Sequence, residues 1–529
     1  MLSTLIWAPV LGATVIAFLP QFSNSERARQ AALAIAIFTL GWTVFLITQF
    51  DISDAGLQLQ ETLPWVEPLG LTYCLGVDGL SLPLVVMNSF LVVIAVYSSD
   101  PKINRPRLYY ALFLLLGSAV AGAFLAQNLL LFFLFYELEL IPLYLLIAIW
   151  GGARRGYAAT KFLIYTAISG ILILAAFFGL TLLTGVSTFD YAALQSQVLP
   201  LGTQIILLVT LLVGFGIKIP LVPLHTWLPD AHVEASTPTS VLLAGMLLKL
   251  GTYGLLRFGL GLFPEAWRVL APWLATIAVI NVLYGSFVAI AQTDMKKIVA
   301  YSSVGHMGFV ILAAAAATPL SILAAVGQMV SHGLISALLF LLVGVVYSKT
   351  GTRDVTVLRG LLNPERGLPL IGSLMIAGVM ASGGIPGMVG FIAEFVVYRS
   401  SFPVFPVQTL LCVLGTGLTA VYFLNLVNRA FFGRLPENLA NLPRVYWRDR
   451  LPSVVMTILI IFLGLQPSWL YRWSEGTSTA LGRLTPSSTT ISHLAPPPLT
   501  ETVAINPSEI ELISTPTFEN FQHSALSLE

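Results

Sequence analysis

Apolar residues in this chain come in near-continuous blocks of about twenty, the length that carries a helix across a bilayer, separated by short polar segments. Strand-like alternation and one-sided helical stripes are not the dominant pattern. Fourteen helices are predicted, near 2–20, 30–50, 79–98, 108–126, 128–149, 161–184, 204–222, 238–260, 269–291, 297–316, 319–348, 368–397, 405–431 and 452–474. The fourth and fifth abut, and their length divides them at Gln127-Asn128. The expected fold is an all-α polytopic membrane protein.

Two blocks are interrupted. In the seventh, Lys218-Ile-Pro220-Leu-Val-Pro223 is followed by His225 and Pro229. In the twelfth, Gly383-Gly384-Ile-Pro386-Gly387 precedes Glu394. Proline removes a helical donor and clashes with the preceding turn. Irregular backbone at membrane depth persists only where protein or water satisfies it. The breaks lie five helices apart, which predicts two five-helix units of opposite topology, with ion sites near the midplane. The expected divisions are 1–107 for the first three helices, 108–260 and 261–431 for the two units, 432–474 for the last helix and its loop, and 475–529 for an extended Pro/Ser/Thr-rich tail.

Composition and charge agree. Hydrophobic residues make up 57% and charged residues 10% of 529, against about a quarter charged in soluble domains, and mean hydropathy is +0.87. With the N-terminus outside, 19 of the 26 Lys and Arg fall in inside loops and five, among them Arg257 and Arg472, in outside segments. That asymmetry fits the positive-inside rule and puts both termini outside. A net charge of +1 implies no polyanionic partner and no nucleic acid. Cys74 and Cys412 form no Cys-x-x-Cys, and the six His show no metal-ligand spacing. No dinucleotide or phosphate-loop motif occurs between a strand and a helix. Cofactors and metals are therefore not expected on this chain.

The candidate chemistry is five ionisable residues inside apolar blocks: Glu137, Glu139, Lys218, Lys249 and Glu394. A charge at the bilayer centre costs about 2.5–3.5 kcal/mol on insertion scales, and such residues commonly mark ion or proton paths. His225, His306 and His332 are candidates to bridge gaps between them, since His titrates near neutrality. His232 is expected toward the inside surface with Asp230. On a regular helix, residues two apart diverge by roughly 200°, so Glu137 and Glu139 are not expected to face one cavity.

The motifs carry a resemblance. Tyr136-Glu137-Leu-Glu139-Leu-Ile-Pro142, the run Lys218 to His232, Ala244 to Lys249, Thr293-Asp294 to His306, and Ser331-His332-Gly333 resemble, in order, the antiporter-like subunits of complex I. The paired-Glu form followed by Trp150-Gly151-Gly152 resembles the cyanobacterial and chloroplast branch. Glu at 394 is similar to the chain-4 type, whose chain-2 and chain-5 paralogues usually have Lys. The resemblance implies a thylakoid proton-translocating subunit of an NAD(P)H- or ferredoxin-quinone oxidoreductase, with plastoquinone as the quinone. Iron–sulfur clusters and quinone would sit in partner subunits. It also implies that Glu137 pairs with Lys218, that Lys249 is the central relay, and that Glu394 leads to the exit side. Two other readings stay open: a subunit of a multisubunit cation/proton antiporter, which shares the same motifs, and a structural scaffold, which has no need of buried charge.

Overall fold

In the computed structural model, residues 1–439 and 442–484 are described. The chain runs through α1 (Leu2–Phe18), α2 (Ser25–Gln49), strands β1 (Gln58–Val66) and β2 (Leu71–Val77), α3 (Leu82–Tyr97), α4 (Pro106–Leu125), α5 (Leu129–Leu138), α6 (Leu140–Trp150) and α7 (Arg155–Thr184). The short α8 (Tyr191–Gln195), α9 (Leu201–Lys218) and α10 (Trp227–Glu234) follow. The next rod is composite: α11 (Thr237–Leu242), a π-helical turn (Leu243–Leu247), α12 (Leu248–Gly254) and a second π-helical turn (Leu255–Leu260). Then come α13 (Pro264–Ile290), α14 (Met295–Ala316), α15 (Pro319–Thr350), α16 (Pro369–Ser382), α17 (Val389–Ser401), α18 (Pro406–Phe431), α19 (Trp447–Leu465), α20 (Ser468–Tyr471) and α21 (Glu475–Gly482).

Helix occupies every predicted block. Among the described residues, ten helical segments are long and apolar enough to cross a membrane, and α1, α3 and α16 are shorter apolar helices. The composite rod, α14 and α15 are almost wholly buried, whereas α2, α7 and α18 expose much of their apolar surface. The first group forms the centre of the bundle and the second turns apolar side chains outward, as a lipid-facing helix does. Helix starts are set by local capping. Asn128 accepts from the backbone N–H of Leu130 and Leu131, which divides α4 from α5 at the expected place. Asp294 caps α14 in the same way.

Both predicted breaks are present, and each is satisfied by a neighbouring helix. After α9, Val222 N–H donates to Asn281 Oδ1 of α13 (2.7 Å), and Asn281 Nδ2 donates to the Pro220 and Val304 carbonyls (3.2 Å each). Trp227 Nε1 donates to the Ile217 carbonyl (2.8 Å). Between α16 and α17, Gly384 (φ +69) and Gly387 (φ +91) adopt the left-handed backbone that glycine supplies without steric cost.

The expectations need four corrections. The loop 51–77 contains an antiparallel hairpin, Thr62 opposite Cys74, so the fold is mostly but not wholly helical. Residues 475–482, assigned to the extended tail, form α21, which packs against α15. From residue 485 onward that tail lies outside the described residues. Arg257 is buried inside the second π-helical turn rather than exposed in an outer segment, and it pairs with Asp78 at the start of α3. A third irregularity was not foreseen: the chain kinks at Glu139 between α5 and α6. Pro142 has no N–H to give the Leu138 carbonyl, so the helix loosens one turn earlier.

Because Asn281 supplies polar partners to Val222 and Pro220, Asn281→Leu is expected to destabilise the subunit by about 1–3 kcal/mol per stranded group. The check is the thermal midpoint and abundance of the assembled protein; wild-type values would contradict this account of the break.

Candidate functional site

The ionisable residues gather around the two breaks. Lys218 is the last residue of α9, and Glu139 sits at the kink between α5 and α6; both are fully buried and form a direct ion pair. The Lys218 ammonium also lies 4.1 Å from the centre of the Tyr136 ring. Tyr136 OH is 3.1 Å from Ser169 Oγ, which donates to the Gly214 carbonyl (2.7 Å). Glu137 points elsewhere. A Cβ at Gly170 of α7 would overlap its carboxylate, and its buried Oε1 has no hydrogen-bond partner. The expected Glu137–Lys218 pair is therefore not formed: Glu139 takes Lys218. The two carboxylates do diverge, and it is Glu139, at the interruption between α5 and α6, that meets the lysine.

The next step along the axis is α12. A Cβ on Gly251 would stand 3.2 Å from Lys218 Cβ, so α9 reaches the lysine helix two residues from Lys249. Lys249 is fully buried and, among the described residues, carries no carboxylate partner. Its ammonium donates to the Ala244 carbonyl (2.5 Å), inside the π-helical turn, and lies 2.8 Å from His332 Nδ1. A π-turn alters the regular i to i−4 ladder and is common at functional sites. When Lys249 is protonated it only donates; His332 Nδ1 then accepts and the ring proton sits on Nε2.

From there the line continues. The His332 and His306 rings are stacked, 5.7 Å between centres and 23° from parallel. His306 Nδ1 is 2.7 Å from the Ser302 carbonyl, and Nε2 faces Ser382 (3.3 Å to O and to Oγ) and Glu394 Oε1 (3.6 Å). His306 thus also supports the backbone at the second break. Glu394 Oε2 accepts from Thr416 Oγ1 (2.7 Å) and Tyr398 OH (3.4 Å). A cavity of about 10 Å³ lies among His306, His332, Gln328, Ser331 and Glu394, close to the size one water needs. His332 Nε2 and Gln328 Oε1, both buried, have no protein partner.

Two predicted histidines stand apart from this line. His225 is buried in edge contact with Tyr284 and Tyr301, and both ring nitrogens are unpartnered. His232 is not at the surface with Asp230: it is fully buried and stacked on Phe340 at 4.3 Å, while Asp230 pairs with Lys161 (2.8 Å). Thr416, Tyr398 and Gln328 were missed because neutral polar residues in apolar helices give no charge signal. The Asp78–Arg257 pair was missed because an Arg near a helix end reads as reaching for water. Among the described residues no cluster of His, Cys, Asp and Glu is arranged to hold a metal ion.

A bundle of apolar helices, two of them broken, around a buried line of Lys, His and Glu defines a membrane protein built to move protons or small cations. Comparison with known proteins agrees. Residues 126–419 match the model of the NADH:quinone oxidoreductase/Mrp antiporter transmembrane family. The chain is 41% identical over 479 residues to NAD(P)H-quinone oxidoreductase chain 4 3 of Trichormus variabilis, covering 88% of each. It is 44% identical over 444 residues to chain 4 2 of Microcystis aeruginosa, covering 82% of this chain and 79% of the relative. Its structure aligns with a chain of respiratory complex I from Thermus thermophilus with a TM-score of 0.83 at 26% identity, covering 92% of this chain and all of that one. A chain of the Mrp complex from Dietzia sp. shares the fold, with a TM-score of 0.81 at 21% identity over 93% of this chain and 98% of that one. The chain belongs to the NADH:quinone oxidoreductase/Mrp antiporter transmembrane family. It is an antiporter-like, proton-translocating integral membrane subunit of a multisubunit complex I-like oxidoreductase.

The two glutamates make a direct test. Glu139→Gln removes the carboxylate that Lys218 pairs with in this structure, a loss of up to about 3–5 kcal/mol where Glu137 does not take its place. Glu137→Gln, which breaks no formed pair, is expected to stay within about 1 kcal/mol. Thermal denaturation of the purified complex measures both, and the reverse order would overturn the pairing.

Proposed function

We propose that protons cross this subunit along the buried axis, with Lys218 exchanging between Glu139 and Glu137 at one end and Glu394 delivering at the other. The observation that carries the proposal is the line Lys249–His332–His306–Glu394, with contacts of 2.8 Å and 3.6 Å at its ends and stacked imidazoles between. Glu137, half-buried and with an enclosed carboxylate oxygen that no hydrogen bond from the described residues reaches, supplies the second seat that exchange requires. When Lys218 leaves Glu139, the positive field near Lys249 changes, and a charge within a few ångströms alters which groups hold protons. A proton released by Lys249 passes to His332, then through the small cavity to His306 and Glu394.

The driving chemistry lies in partner subunits. There NAD(P)H or ferredoxin is oxidised, a quinone of the plastoquinone type is reduced, and iron–sulfur clusters carry the electrons. This chain binds none of these and contributes the proton path. The relatives' name, NAD(P)H-quinone oxidoreductase, supports the donor and quinone parts of that assignment. The two breaks support a pair of inverted five-helix units, 108–260 and 261–431, that rearrange around the axis. The cation asymmetry of the loops supports a thylakoid orientation with both termini in the lumen.

Lys249→Ala and His332→Leu interrupt the line at successive positions. In sealed vesicles of the assembled complex, each is expected to slow proton transfer through this subunit by about a hundredfold or more and lower the proton-to-electron ratio. Donor oxidation should continue. An unchanged ratio in either assembled variant would refute the route.

A further inference from the structure

The outer surface of the bundle carries a feature that the proton axis does not use. An apolar groove of about 240 Å³ opens between α2, α3, α15 and α19. Met87 and Phe90 of α3, Leu334 of α15 and Leu463 of α19 line it, and the indoles of Trp469 and Trp473 stand at one end. Along α3 the lining begins at Pro83 and reaches Phe90, about 10 Å at the helical rise. That is comparable to the depth of one leaflet, about half of a 30 Å hydrocarbon core.

The tryptophan end holds a cation. The Arg472 guanidinium sits 3.7 Å from the Trp469 ring centre and 5.7 Å from that of Trp473. Its Nε is buried without a hydrogen-bond partner, and no carboxylate pairs with Arg472 among the described residues. Stacking on indole presents the planar fork of donors that matches an oxyanion in two-point contact. Trp and Tyr are enriched at headgroup level in membranes. An unpaired cation stacked on the tryptophan that lines an apolar trench about 10 Å long complements the order of an anionic lipid, headgroup charge first and acyl chain after.

We propose that this groove is a binding site for an anionic diacyl lipid of the surrounding membrane, with one acyl chain along Phe90, Leu334 and Leu463 and the headgroup anion on Arg472. The site abuts the proton axis from behind. Leu334 is two residues from His332 on α15, and a Cβ at Gly333 would overlap Met87 Sδ.

The test uses the intact complex in nanodiscs doped with phosphatidylglycerol carrying a photoactivatable diazirine in its acyl chain. Illumination followed by peptide mapping should label the segments 83–90 and 459–473. Unlabelled phosphatidylglycerol should suppress that labelling and phosphatidylcholine should not. Arg472→Gln should reduce it about tenfold, the weight of one charge-assisted hydrogen bond, and Leu463→Trp, which fills the trench, should abolish it. Equal competition by phosphatidylcholine, unchanged labelling in Arg472→Gln, or an unlabelled wild-type groove covered by a neighbouring subunit would each overturn the proposal. Should Arg472→Gln fail to assemble, the competition between the two lipids in the wild-type complex decides alone.

Discussion

The structure depends on one constraint: a charge held away from water must be given a partner, or the helix bearing it does not stay in the membrane. The Lys218–Glu139 pair meets it where two irregular segments converge, the end of α9 and the kink between α5 and α6. Desolvating two ions costs several kcal/mol each, and their attraction compensates only when the geometry is good. The surroundings supply that geometry through the Tyr136 ring beneath the ammonium and the Asn281 and Trp227 side chains that hold the broken backbone. Helix breakage and buried charge are thus one design. The break frees the chain to put Lys218 at the axis, and the neighbouring helices satisfy what the break leaves open.

The second half of the axis solves the same problem differently. Lys249 has no carboxylate; a π-turn carbonyl and a histidine receive its donors. Glu394 has no lysine; a threonine, a tyrosine and the edge of His306 surround it. Neutral partners stabilise a charge less than an opposite charge does, and they also tolerate its loss better. A group that must gain and lose a proton is served by such surroundings, whereas a permanent ion pair such as Asp78–Arg257 is served by complementary charge.

Much of this was legible in the chain. The apolar blocks and the Pro and Gly interruptions located the helices and both breaks, because those signals act locally. The buried Lys and Glu stood out because their cost in lipid leaves few explanations. What escaped was set by three-dimensional neighbours or small departures from ideal geometry. Glu137 was expected to pair with Lys218, whereas Glu139, at the interruption between α5 and α6, does so. The hairpin at 58–77 was hidden in a segment read only for its charge. His232 follows Asp230 so closely that the pair suggested a surface, yet α10 turns the imidazole onto Phe340.

The central claim is that Lys218 has two carboxylate seats and changes between them during turnover. It is tested most directly by determining the structure of the intact complex both at rest and during steady-state donor oxidation, and reading the partner of Lys218 Nζ in each. The account predicts Lys218 on Glu139 at rest and a turnover population with Lys218 on Glu137. Lys218 fixed on Glu139 in every populated state, with Glu137 always alone, would contradict it.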